Sequence, residues 1–156
     1  MTARQYLLLA LLGLVAAAVV AALQSSPGYM DADYYYAGGL QLVGGHGFTE
    51  PYLWNYLDDP AGLPHPSYAY WMPLASLLAA AGAVLFGASS WLAARAGFLL
   101  VAALIPPLTA ALAWSFTSRR DLTLASGLLA GFPGFFLRFL PVTHTFCLYM
   151  VLVGVF

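Results

Sequence analysis

Four stretches of this chain, residues 6–23, 68–87, 91–115 and 122–140, are apolar over about the length that crosses a lipid bilayer, and nothing else in the sequence limits the fold as strongly. A helix spanning the hydrocarbon core needs about 20 predominantly apolar residues. The rest of the composition agrees. Lys and Arg together number 5, all arginine, and Asp and Glu number 6, among 156 residues. Soluble domains carry about a quarter charged residues. So little charge cannot clothe a water-exposed surface, and the class expected is an all-α, polytopic integral membrane protein. The net charge of −1 argues against nucleic-acid binding, which needs a basic footprint. Cys147 stands alone in an apolar run, so no intrachain disulfide is possible, and a buried small hydrophobe is its simplest role.

The elements are expected in the following order. Residues 6–23 form a first helix, with Arg4 marking its start as cytoplasmic. The run is long for a signal peptide, and "AALQSS" is a poor cleavage site, so the helix is read as retained. Residues 24–90 hold an extracytoplasmic loop and an interfacial helix over 68–87, with Tyr68, Tyr70 and Trp71 as anchors. Helices over 91–115 and 122–140 follow, with kinks at Pro106-Pro107 and at Gly131, Pro133 and Gly134. A last helix over 145–156 is short for a span, so the sequence reads as the amino-terminal part of a larger membrane domain. If 68–87 does not span, Arg4, Arg119 and Arg120 share the cytoplasmic side. If it spans, Arg4, Arg95 and Arg138 do. The true loop "SFTSRRD" favours the first arrangement.

The loop concentrates the acids. In "DADYYY", Asp31 and Asp33 share a face if extended but not if helical. Either one can cap a helix or act as a base or metal ligand at the membrane surface. Tyr34, Tyr35 and Tyr36 read as interfacial aromatics on residue type alone. His46 and His65 are loop histidines, and His65 is held between two prolines. Asp58-Asp59 before Pro60 reads as a turn, and Glu50 carries no signal. No zinc-ligand spacing, phosphate-binding loop, nucleophile elbow or dinucleotide fingerprint is present.

The order of these features resembles the amino-terminal part of a GT-C glycosyltransferase. The resemblance rests on a first helix, a loop opening "DADYYY", the glycine-ended "AGGLQLVGGHGF", the proline-bounded "PHPSYAYWMPLASLL" and "LFGASSWLAAR". "WNYLDDP" adds a weaker likeness to the oligosaccharyltransferase loop. Protein O-mannosyltransferases and the aminoarabinose transferase of lipid A are further relatives. The resemblance implies a sugar moved from a polyprenyl-phosphate donor to an unidentified acceptor (protein, lipid or glycan) on the extracytoplasmic face, in a prokaryotic plasma membrane. It implies Asp31 as catalytic base or metal ligand, with Asp33 in reserve. Tyr34, Tyr35, His65 and Arg138 become candidate substrate contacts, the last two for phosphate, though an arginine at the end of an apolar run can equally just snorkel to the interface. The next loop, "RFLPVTHTF", lacks the second acid that several relatives place there. His144 is the candidate to join Asp31 on a divalent metal cation. Two other classes remain open: a transporter or flippase, and a non-catalytic membrane scaffold. Transporters place ionisable groups near the middle of the bundle, whereas the acids here crowd into a loop.

Overall fold

The computed structural model describes residues 1–53, 60–87 and 89–156. Asp58-Asp59 and most of "WNYLDDP" lie outside the described residues. The chain is mostly helical. Helix α1 (Ala3–Ala22) is followed by α2 (Met30–Val43), a two-stranded ribbon of β1 (Thr49–Glu50) and β2 (His65–Pro66), and α3 (Leu74–Leu85). Then come α4 (Trp91–Ala94), α5 (Ala96–Ala103), α6 (Ile105–Thr117), α7 (Arg120–Ala130), a 3-10 turn at Gly134–Phe139, and α8 (Thr145–Val155).

Among the described residues, two helical paths are long and apolar enough to cross a bilayer: Ala3–Ala22 with 20 residues and Trp91–Thr117 with 27. The second is α4, α5 and α6 run end to end. Prolines 106 and 107 cannot donate to the carbonyls one turn back, so the ladder tightens before them, and the Leu104 amide bonds the Val101 carbonyl at 3.0 Å. The chain bends its hydrogen bonding there and continues.

Two segments differ from the sequence expectation. The expected helix over 122–140 ends at Ala130, where the Gly131 and Phe132 amides tighten onto the Leu128 and Leu129 carbonyls. Pro133 withholds the next donor and Gly134 takes φ +56°, so the α-helix does not resume and the remaining residues form a 3-10 turn. The expected interfacial helix over 68–87 begins only at Leu74, after Pro73, because Tyr68 at φ +65° and the turn that follows are not helical. Its 12 residues cover about 18 Å at 1.5 Å each, short of a hydrocarbon core of about 30 Å.

Small residues set how the helices meet. A Cβ on Gly39 of α2 would lie 2.9 Å from the Ala79 Cβ and 3.1 Å from the Ala80 amide nitrogen, so α2 lies directly on the backbone of α3. The Ser76 hydroxyl donates to the Tyr35 carbonyl at 2.9 Å across the same seam. Helix α1 runs antiparallel to the 91–117 path: Gln24 meets Arg95 near one end, and Gly13 faces Pro106 and Ala103 in the middle. Arg4 therefore sits at the end of the bundle that holds the α6–α7 turn with Arg119 and Arg120. At the opposite end, the Gln24 side chain ties three segments together. Its Nε2 donates to the Arg138 carbonyl at 2.7 Å, and its Oε1 accepts from Arg95 Nη1 at 3.4 Å. Cys147 is fully buried, as a small hydrophobe would be.

Candidate active site

Helix α2 starts at the acid-rich stretch. The Asp33 amide bonds the Tyr29 carbonyl at 2.9 Å, so Tyr29 holds the cap position, with no side-chain bond capping the turn. Neither aspartate is the cap. Both fall in the first turn, where the positive end of the helix dipole favours a carboxylate. At about 100° per residue they point to different sides. Asp33 is exposed, while Asp31 turns inward.

What Asp31 meets comes from the far end of the sequence. The Asp31 Oδ2 lies 3.6 Å from Nε2 of His144, with the aspartate side chain 33% exposed and the histidine side chain 12%. Two hydroxyls hold His144 in place. Thr143, fully buried, donates from Oγ1 to the Ala32 carbonyl at 2.7 Å, which fastens the segment before α8 to the first turn of α2. Thr145 Oγ1 lies 3.2 Å from His144 Nδ1. If the hydroxyl donates to Nδ1, the ring proton sits on Nε2 and faces the carboxylate. Around the imidazole stand Tyr29 at 5.5 Å, Tyr35 edge-on at 5.6 Å and Phe146 at 4.3 Å, measured between ring centroids.

This aromatic enclosure tunes the site. Burial lowers the His144 pKa below the usual histidine range, and the Asp31 carboxylate opposes that shift only in part. Tyr29 is pushed up to about 12 by burial, with the Asp31 charge adding to it. Burial also raises Tyr35, again with help from Asp31. The imidazole is thus held neutral beside a carboxylate, with phenols that stay protonated around it.

His144 opens onto a groove of about 430 Å³ between α3 and α8. Tyr35, His144 and Thr145 form its polar end, and Met72, Leu148 and Leu152 are among its apolar lining. The cavity therefore grades from the imidazole of His144 to a hydrocarbon wall.

The other sequence candidates fall elsewhere. Tyr35 lines the groove, but Tyr34 is buried in the seam with the ribbon, where its hydroxyl accepts the Tyr68 amide at 3.0 Å. His65 belongs to the ribbon. Its Nε2 faces the Tyr52 carbonyl at 3.1 Å and the Glu50 carboxylate at 3.7 Å, and its Nδ1 faces the Pro66 carbonyl at 3.0 Å. Both ring nitrogens of His65 are thus occupied within the fold. Arg138 lines a second cavity together with Tyr29 and Gln24, and its guanidinium rests on Phe135 and Phe139. Nothing in the sequence pointed to Tyr29, Thr143 or Thr145.

A zinc or calcium ion held by this chain alone fits poorly here. Asp31 and His144 supply two donors, whereas zinc takes about four ligands and calcium 6–8. Among the described residues no group of three or more His, Cys, Asp or Glu could hold an ion. The chain matches no protein-family model, no curated protein and no solved structure.

Proposed function

We propose that this chain is part of a multi-pass membrane glycosyltransferase that takes its sugar from a polyprenyl-phosphate donor at the extracytoplasmic face. One observation carries the reading: a desolvated neutral imidazole, with the Asp31 carboxylate 3.6 Å behind it, lines an otherwise largely apolar groove. An amphiphile whose reactive bond joins a polar head to a hydrocarbon tail matches that gradient. Orientation supports the same reading. Arg4, Arg119 and Arg120 gather at one end of the bundle, which the charge rule assigns to the cytoplasm. The dyad belongs to the loop side, at the other end.

In the reaction, the acceptor's hydroxyl or amide attacks the anomeric carbon of the donor. A bond forms from the nucleophile to that carbon, and the bond from the carbon to the phosphate oxygen breaks. Polyprenyl phosphate leaves with the electron pair, and the proton passes to the Asp31 carboxylate. His144, with its proton on Nε2, faces the carboxylate at 3.6 Å, closes to a hydrogen bond as the acceptor binds, and keeps one oxygen turned toward the nucleophile. Asp33, exposed and on another side of α2, takes no part. No step is routed through a metal.

The test uses the full-length protein in lipid nanodiscs with radiolabelled polyprenyl-phosphate sugars. Wild type and Asp33→Asn transfer sugar, while Asp31→Asn loses activity by at least about 100-fold, the range expected for removing a general base. Transfer that survives Asp31→Asn would refute the assignment.

A further inference from the structure

A second cavity, behind the Tyr29 ring, takes no part in the proposed chemistry. It encloses about 310 Å³ between the end of α1 and the segment after α7, and it shares no lining residue with the groove at His144. Its polar groups are donors. The exposed Arg138 guanidinium lies over Phe135 at 4.2 Å and Phe139 at 4.9 Å, and among the described residues it pairs with no carboxylate. The Tyr29 hydroxyl is buried and has no hydrogen-bond partner among the described residues. Gln24, on the cavity wall, holds the Arg95 guanidinium by its amide oxygen. Arg95 is 1% exposed, stacks on Trp91 at 3.5 Å, and likewise meets no carboxylate among the described residues.

A cation taken out of water without a counter-charge is unfavourable by several kcal/mol. Arg95 is such a cation, one residue behind the cavity wall at Gln24, and the wall itself adds the Arg138 guanidinium and the Tyr29 hydroxyl, unpaired and unsatisfied among the described residues, so the cavity favours an anion. The position says which kind. Gln24 lies two residues past the end of α1, one of the two helices able to span a bilayer, and so at the height of lipid headgroups. Phe132, Phe135 and Phe136 expose apolar surface in the same segment, where an acyl chain can lie.

We infer that this cavity binds the phosphate headgroup of an anionic membrane lipid, with Arg138 and the Tyr29 hydroxyl as its ligands and Arg95, held through Gln24, as the charge behind them. This goes beyond the glycosyl-transfer reading and stands or falls separately from it.

The experiment places the full chain in nanodiscs of equimolar phosphatidylglycerol and phosphatidylcholine, and native mass spectrometry counts the lipids retained. Wild type prefers phosphatidylglycerol by about tenfold, the equivalent of one charge-assisted hydrogen bond. Arg138→Gln falls to near parity, Arg138→Lys recovers part of the preference, and Tyr29→Phe lies between. Arg138 is exposed, so its variants keep the helical circular dichroism of wild type. Equal retention of both lipids by wild type overturns the inference, as does an unchanged preference in Arg138→Gln. Displacement of phosphatidylglycerol by millimolar inorganic phosphate would make the cavity a free-anion site and overturn it. Retention of polyprenyl phosphate there, but not phosphatidylglycerol, would assign the cavity to the donor and overturn it also. Loss of sugar transfer with intact lipid preference leaves this inference standing and removes only the other.

Discussion

Substituting Gly39 by alanine tests whether the α2–α3 seam holds Asp31 where it is. The new methyl would stand 2.9 Å from the Ala79 Cβ, 3.1 Å from the Ala80 nitrogen and 3.2 Å from the Ser76 carbonyl oxygen. None of these atoms is the free end of a flexible side chain, so the helices themselves must separate. Overpacking of this kind is destabilising by about 1–3 kcal/mol. Alanine's better helix propensity offsets up to about 1 kcal/mol. The net expectation is a loss of about 1–2 kcal/mol, measured by reversible unfolding in mixed micelles. Ala79→Gly removes the nearest contact, so the double variant Gly39→Ala/Ala79→Gly recovers part of the loss, with a coupling energy of at least about 0.5 kcal/mol. Because α2 carries Asp31, Gly39→Ala also disturbs the His144 side-chain resonances, while the double variant moves them back. A Gly39→Ala protein as stable as wild type, or two substitutions whose effects simply add, would refute the close-packed seam.

Three further outcomes follow from the site and its supports. Tyr34→Phe strands the Tyr68 amide, which now bonds the phenol oxygen at 3.0 Å, and lowers stability by about 1–3 kcal/mol in the same unfolding assay. His144 has a folded pKa below its unfolded value, so between the two the unfolded chain binds more protons. Stability therefore falls as pH drops from just above the usual histidine value toward the depressed one, and His144→Gln flattens that part of the stability-against-pH curve. Thr145→Val removes the hydroxyl beside Nδ1 and frees the imidazole tautomer, which nitrogen NMR of labelled histidine reads as a mixture of the two neutral forms, whereas Thr145→Ser keeps the wild-type pattern.

Much of the helical framework was legible because apolar length is a local property. The start of the 91–117 path follows directly from where its apolar run begins, while α1 starts at Ala3, three residues ahead of the run expected from Tyr6. The end of α7 did not, because Gly131, Pro133 and Gly134 suggest a kink in a continuing helix, whereas the helix closes at Gly131 and the missing Pro133 donor with the left-handed Gly134 keeps it from resuming. At the site, Asp31 and His144 were both singled out, and their approach across more than a hundred residues is a fact of tertiary packing. The residues that make the approach work were not visible. Thr143 and Thr145 look like any threonines in a loop, and only the fold aims one at the Ala32 carbonyl and the other at the imidazole. Glu50 carried no signal by itself; antiparallel pairing of β1 with β2 sets it opposite His65. Asp33 and Arg138 gave the reverse lesson. Both have residue types suited to the chemistry, but helix periodicity turns Asp33 outward and the 3-10 turn carries Arg138 to the other cavity.

The amide of Gln24 also bears on how the protein is made. Its two partners stand 71 and 114 positions further along the chain, so neither exists yet when the first helix is synthesised. Until both later segments have been made and have packed against the end of α1, that amide can be satisfied only by water. The tie can therefore form only late in folding, after most of the chain is in place.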